Sequence, residues 1–587
     1  MNTFNRVVRQ ALWAFCLLVM LMFGQTVGAA VIHVDGVNGT DNPGGPTPGD
    51  SWATAFLYLQ DALDVAVPGD EIWVVGSPTG VVYRPDEGDS VANNNRNTTF
   101  RLQENLAILG GFRGPQPGYA GESNRNQRNP EVNISRLSGD LANNDNPNNT
   151  ATYLDNAYHV VTGTLVNNTA SIDGFTISDG DNLHVAIGET VPLPNPNPGN
   201  LLSGQTGAGM LLLGGPNQEP ANAVKPGVMR IRFERNRSVV GGGLCIAGAQ
   251  TSNPLIANCR FTDNFALMDG GGLANDTSRD AGGNPTAGAA RPRLVNCIFH
   301  RNKAQGVSVD DGDGGAVWST AGGSPRLVNC VVFGNFADHG GAGGVHHDYG
   351  CNAQPSTPSG DIDVYNCIVR NNDGPELRGN NGVGNSNVQG LNGICATKST
   401  NLDADPQFMD AANGNFRIDA DSLSRNAGDN ARINVFADEF DIDQDGDVLD
   451  LVPDLDRLLR ILNSTVDQGA FENHASSTCC ADINASGCIN VEDLLLIIGG
   501  WSSAGLADIS PACGGDGSVN TQDLLAVISG WGPCPGFSCF ENDMPTTVSE
   551  CMQVCGQQFP GDTAGYNACL SDCIEALCKA ELIDCDE

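Results

Sequence analysis

Basic residues are scarce. Thirty Lys and Arg stand against 68 Asp and Glu, for a formal charge of −38. That imbalance excludes a nucleic-acid partner, which needs clustered Lys and Arg against phosphate. An acidic surface suits an exported protein that binds cations or keeps itself soluble. From 479 onward Lys579 is the only basic side chain. Charged residues make up 17% and aromatics 6%, whereas Gly numbers 74. That mix argues against long helices and for short strands joined by tight turns. Long apolar runs are missing after the first thirty residues. Within them, Arg6 and Arg9 precede ALWAFCLLVMLMF (11–23) and the small-residue site Val27-Gly28-Ala29. This is the layout of a signal peptide over 1–29, and it is short for a membrane span. The expected location is secreted or cell-surface, outside the cytoplasm.

Cysteine divides the chain unevenly. Residues 31–474 hold seven Cys and residues 479–587 hold twelve. Four of the seven (Cys259, Cys297, Cys330 and Cys367) occupy one place in a repeated phrase: ANCRFTDN (257–264), VNCIFHRN (295–302), VNCVVFGN (328–335) and YNCIVRNN (365–372). A degenerate copy, IRFERN, lies at 231–236. Gly clusters with an apolar residue accompany the copies: GGGL (241–244), GGGL (270–273), GGAV (314–317) and AGGV (342–345). Fixed-phrase repetition marks a solenoid. Equivalent positions then stack at about 4.8 Å, the spacing of neighbouring strands. The four thiols should form a buried column, since a flat ladder has poor disulfide geometry. Asn236, Asn264, Asn302, Asn335 and Asn372 should form a corner ladder, Asn being tolerant of left-handed turns.

At the N-terminal end, VIHVDG (31–36) reads as a strand. SWATAFLYLQDALDVAVPGDEIWVV (51–75) reads as an amphipathic helix, a turn and a strand. Ala55, Leu59, Ala62, Leu63 and Ala66 make the apolar face, and a helix there would cover the open strand edge. FRLQENLAILGGFRG (100–114) gives a further strand and turn.

These phrases, with SIDGFTISDG (171–180) and the closing ADPQFMDAANGNFRIDADSLSRNAGDN (404–430) and VDQGAFE (466–472), resemble secreted bacterial parallel β-helix proteins of the pectin-lyase-like, choice-of-anchor type. The resemblance implies a mainly β, right-handed parallel β-helix over 31–474 with an N-terminal capping helix. An acidic insertion, 437–462, carries Asp441, Asp443, Asp445 and Gly446 like the start of a calcium loop, but Val452 stands where the closing carboxylate belongs and Asp454 could substitute only with a different geometry, so a solvated acidic loop is the alternative.

The C-terminal part carries a stronger ligand pattern. DINASGCINVED (482–493) fits a twelve-residue calcium loop, with Asp482, Asn484, Ser486, Cys488 (through its carbonyl), Asn490 and Asp493 as ligands and Gly487 at the turn. A second copy places Asp516, Asn520 and Asp523 at positions five, nine and twelve. Ala512 stands at position one, so this loop is either degenerate or uses Asp508. Two loop–helix units ending in GGW and SGW resemble a dockerin-type module (479–532). That resemblance implies bound Ca2+ and a cohesin-like or cell-surface partner. Val491-Glu492 and Thr521-Gln522 replace the usual recognition pairs, so a purely structural calcium module is the alternative. In 533–587, Cys551 and Cys555 sit one helical turn apart, as do Cys569 and Cys573. A disulfide-rich helical hairpin is the simplest geometry, with a metal site as the alternative; the spacing does not fix the connectivity.

Along the Gly clusters, Cys245, Ala274, Trp318 and His346 should point outward. Asp310, Asp311 and Asp313, with His339, His347 and Asp348, fall in neighbouring coils. Asp311, Asp313 and His346 are the candidates for acid–base work on a polysaccharide, with Trp318 as a sugar platform. No Lys or Arg is expected in this cluster, and HExxH, GxSxG and phosphate-loop motifs are absent. The expectation is therefore a non-catalytic structural or adhesive protein, docked through its calcium module. The alternatives are a polysaccharide lyase or glycoside hydrolase, or a glycan-binding protein, using the Asp/His/Trp face.

Overall fold

A computed structural model describes residues 30–473 except 42–47, 185–204, 216–222, 250, 277–288, 308–310, 321, 339–340, 349–361, 380, 391–395, 398–399, 434–452, 457–459 and 462–464. Beyond these it describes 483, 488–489, 527 and 532–533. The chain divides into two compact units. One comprises 1–404, 431–452 and 468–470; the other comprises 405–430, 453–467 and 471–587.

The first unit is a parallel β-helix. Among the described residues, three parallel sheets of eleven, nine and eight strands run along it, with a short four-stranded sheet at one corner. One full coil illustrates the path. Leu255–Ala257 lies in the first sheet, Arg260–Thr262 in the second, Phe265–Ala266 at the corner and Leu273–Asp276 in the third. Each strand pairs in register with its counterpart in the next coil: Ile256 with Leu294, Phe261 with Phe299, and Leu273 with Val317.

Two corners explain the repeated phrase. The residue after each first-sheet strand adopts a left-handed conformation: Asn258, Asn296, Asn329 and Asn366 have φ of 51–56°. These are the asparagines that precede the cysteines, and Asn enters this region at low cost. Arg230 and Gly174 hold the same place in earlier coils, at φ of 50° and 81°. The second corner also turns on a left-handed residue, but it is the one before the expected ladder: Arg235, Asp263, Arg301, Gly334 and Asn371. The ladder asparagines are therefore held by their amides rather than placed for their backbone tolerance.

The amide ladder is continuous. Nδ2 of Asn236 donates to Oδ1 of Asn264 (3.0 Å), Asn264 to Asn302 (2.9 Å), Asn302 to Asn335 (2.9 Å) and Asn335 to Asn372 (2.8 Å). Each Oδ1 also accepts the backbone N–H of the preceding rung, as Asn302 does from Asn264 at 3.2 Å. Asn372 ends the ladder by donating to Glu376. Inside the coil, Phe233, Phe261 and Phe299 stack with centroids 4.6 and 4.5 Å apart. Cys259, Cys297, Cys330 and Cys367 are buried, as the column requires.

One corner contains a buried ion triad. Asp173 accepts from Arg128 Nη2 (2.7 Å) and from Arg230 Nε (2.7 Å), and all three residues are buried. The two guanidiniums outweigh burial and hold the Asp173 carboxyl well below its usual range.

At the N-terminal end the helix is shorter than the apolar spacing predicts. It spans Leu59–Val65, while Trp52–Thr54 forms a separate 3-10 turn and Ala55 is extended. Leu59, Ala62 and Leu63 still pack into the main core, against Val34 and Val74 among others. In the second unit, Phe408–Asp410 pairs antiparallel with Asn415–Ile418. Arg417 is held there by Asp456, and buried Asp454 accepts the amides of Asp456 and Glu472.

Asn302→Ala removes two donated bonds and strands two donors of Asn264, so it should destabilise the protein by about 2–4 kcal/mol. Denaturant unfolding measures this. A loss below about 0.5 kcal/mol, the level of an ordinary surface change, would show that the ladder does not hold the coils.

Candidate functional site

The site grows from the third sheet. Its inward residues Leu244, Leu273, Val317 and Val345 belong to the main core. The next residue of each strand faces away from that core, and the register stacks Cys245, Ala274, Trp318, His346 and Arg378 in one column. The column is not open. Leu211, Cys245, Ala274 and Trp318 form a satellite apolar cluster, and Trp318 is only 8% exposed. Its indole N–H donates to Asp348 Oδ1 at 2.7 Å. Trp318 is therefore a wall that orients Asp348, not the open sugar platform expected from the sequence.

The acidic residues come from the turn that leads into this sheet. Asp269 and Asp313 each lie four residues before an inward apolar residue, Leu273 or Val317, so they occupy the same position in successive coils. The Gly270 amide donates to the Asp313 carbonyl at 3.0 Å, tying the two turns together. Asp269 Oδ1 accepts the amides of Gly312 (3.1 Å) and Asp313 (3.0 Å). Asp269 is 7% exposed. Burial, reinforced by the charges of Asp313, Asp348 and Asp311, pushes its carboxyl up to about 7, although the Asp313 amide favours ionisation.

Asp313 Oδ1 lies 2.9 Å from His346 Nδ1, a close polar contact without the alignment of a hydrogen bond. Its space exists because residue 341 is glycine. A Cβ there would come within 2.0 Å of Asp313 Oδ1. His347 is fixed separately, its Nδ1 lying 2.9 Å from the Ser319 carbonyl.

Of the predicted catalytic candidates, the fold brings Asp313 and His346 into contact. It leaves Asp311 as a charge that acts on Asp269. Asp310 and His339 lie outside the described residues. Sequence reasoning missed Asp269, although an Asp directly before a Gly run in two successive copies (Asp269-Gly270 and Asp313-Gly314) was the available signal. It also expected no basic residue in the cluster. Arg378 corrects that: it stands in register with His346, one coil on, and is exposed.

Asp482, Asn484, Ser486, Asn490, Asp493, Asp516, Asn520 and Asp523 lie outside the described residues. So do Asp441, Asp443, Asp445, Cys551, Cys555, Cys569 and Cys573. Cys488–Ile489 is described, and it pairs antiparallel with Gly532–Pro533. Among the described residues, no group of three or more His, Cys, Asp or Glu is arranged to hold a metal ion.

Residues 162–356 match the family model described as a right handed beta helix region. No curated protein matches the sequence. Two solved structures are similar in fold. One is the crystal structure of pectate lyase Pel9A, with 13% identity, 77% of this chain and 98% of that chain covered, and a TM-score of 0.34. The other is a rhamnogalacturonan lyase, with 14% identity, 63% and 90% coverage and a TM-score of 0.30. Both of these structures are lyases by name, against the expectation of a non-catalytic structural or adhesive protein, not an enzyme. Asp269, a buried acid whose carboxyl is pushed up to about 7, is what that expectation lacked.

Asp269 ties stability to pH with a definite sign. Its folded pKa of about 7 exceeds the unfolded value near 3.8. The folded state therefore holds the extra proton between these values, and stability falls as pH rises from about 4 to 7. Asp269→Asn should remove that loss. Its melting temperature should match wild type at pH 4 and exceed it at pH 8, by the equivalent of about 2–4 kcal/mol. Parallel wild-type and variant curves would show that Asp269 is not desolvated.

Proposed function

We propose that this protein is a secreted carbohydrate-active enzyme that cleaves glycosidic bonds by acid–base chemistry at the Asp269–Asp313–His346 cluster. The observation that carries this is the pair of carboxyls at one coil position with unlike surroundings. Asp269 is buried among acids and kept protonated near neutral pH; Asp313 faces His346. Two carboxyl groups in unlike environments are what glycoside hydrolysis uses.

In this reading Asp269 donates its proton to the glycosidic oxygen as the C–O bond breaks. Asp313, one coil on at the roughly 4.8 Å strand spacing that suits a nucleophile paired with an acid, attacks the anomeric carbon with His346 positioning it, and a water deprotonated by Asp269 then cleaves the glycosyl–Asp313 bond. The products are two shorter chains, one with a new reducing end. The net charge of −38 and the acidic cluster would repel a polyanion, so an uncharged polysaccharide is the favoured substrate.

A second reading rests on Arg378. An arginine beside His346 and a carboxylate cluster could serve β-elimination on a uronate chain, with Arg378 as the base. The two reactions leave different products. Incubation with neutral and acidic polysaccharides, scoring reducing ends and unsaturated sugars, separates them. Hydrolysis predicts reducing ends without unsaturation, and a fall of about 100-fold or more in Asp269→Asn and Asp313→Asn. Activity should decline above about pH 7 as Asp269 loses its proton. Unsaturated product lost in Arg378→Ala selects elimination. No turnover on any substrate would end both readings. Gly341→Ala should also lower turnover, because its methyl displaces the Asp313 carboxylate without removing any reacting group.

We also assign 1–29 as a signal peptide, 31–474 as the β-helix, 479–532 as a calcium-binding, dockerin-like module and 533–587 as a disulfide-rich tail, on the sequence patterns alone. A cohesin-like or cell-surface partner would bind through the third of these. Chelation should then lower the melting temperature of the full chain, and Asp482→Ala with Asp493→Ala should abolish most of that difference. A calcium response unchanged in the double variant would remove the module.

A further inference from the structure

A second acidic feature lies in the N-terminal coils. A cleft of about 440 Å3 is lined by Asp41, Tyr58, Asp86, Glu87, Asp89 and Asn94 among others. The cleft lining contains no Lys or Arg; Arg84 pairs with Glu87 at 3.3 Å from outside that lining. Asp86 is the decisive residue. It is only 4% exposed. Its Oδ2 accepts the Asn94 amide at 2.6 Å, while its Oδ1 is buried without a partner. Asp61, which bonds to the Asp89 backbone, has the same defect: Oδ1 accepts that amide at 2.8 Å and Oδ2 has no partner. An unpaired carboxylate oxygen out of water is costly and calls for a positive charge or a donor.

We propose that this cleft binds an organic cation of monosaccharide size, with a primary ammonium as the recognised group, as in an amino sugar or a short diamine. Size favours an organic ligand, since small-molecule sites run from about 300 to 1,000 Å3. A bare metal ion fits less well, because among the described residues no three candidate ligands converge. The ammonium would meet the Asp86 carboxylate, and the hydroxyls or second ammonium of the same ligand would reach Asp41 and Asp89, so no single atom has to gather three carboxylates. The ring of Tyr58 offers a face for the cation or the sugar. The inference does not rest on the reading of the Asp269 cluster.

Calorimetric titration of the full chain with glucosamine, putrescine, N-acetylglucosamine and calcium chloride tests it. Glucosamine and putrescine should bind, weaken with salt, and lose at least tenfold in affinity in Asp86→Asn. N-acetylglucosamine, which lacks the charge, should not bind. Ligand-free Asp86→Asn should melt at or above the wild-type temperature, because an unpaired buried charge has gone. The exposed pair Asp41→Asn with Asp89→Asn, which leaves the core untouched, should weaken glucosamine several-fold. The proposal is overturned if neither amine binds, if N-acetylglucosamine binds as well as glucosamine, if both sets of variants bind glucosamine unchanged, or if calcium alone binds in an Asp86-dependent way.

Discussion

Parallel strands stacked in register impose one constraint on everything in this β-helix. Whatever a coil places at a position meets its equivalent in the next coil at about 4.8 Å. A side chain must therefore tolerate a copy of itself as neighbour. Phenylalanine does so by stacking and cysteine by packing as a small hydrophobe. Asparagine does so best, because its amide donates on one side and accepts on the other. The ladder from Asn236 to Asn372 uses both functions at every rung. It ends where the chain offers Glu376, a carboxylate that accepts from the last amide.

The same constraint makes a stacked acid expensive and useful. Asp269 and Asp313 repeat one position, so each feels the other's charge, and burial leaves little water to screen it. One way to relieve the strain is to keep a proton on the more buried member, as the shift of Asp269 indicates. The chemistry proposed for the cluster is thus a consequence of stacking like on like. Asp173 shows the contrasting solution: a buried carboxylate kept ionised by two arginines from different coils.

The repeated phrase carried the fold because stacking demands repetition. The thiol column, the amide ladder and the inward Leu244, Leu273, Val317 and Val345 were all legible for that reason. What stayed hidden depends on loops rather than on the repeat. That the outward column is itself buried as a second apolar cluster, so that Trp318 is a wall, is not written into the repeated phrase. Arg378 escaped notice because its strand, Leu377–Arg378, follows the single Gly374 rather than the Gly run that marks the earlier copies. The helix shrank to Leu59–Val65 because the apolar spacing from Ala55 to Ala66 spans two different local structures that happen to bury the same face.

The coil position shared by Asp269 and Asp313 also argues against a purely structural account. The preceding coil has Val240 there and the following coil has Gly341. Both satisfy the turn without a charge, so the fold does not require an acid at this place. Two consecutive acids, one of them buried, lower stability at neutral pH relative to either neighbour. Natural sequences depart from local consistency of this kind mainly at functional sites. The glycine at 341 extends the same logic, since it leaves the volume that the Asp313 carboxylate fills beside His346. The departure is thus confined to two coils, where it brings an acid, a carboxylate and an imidazole to one edge of the third sheet.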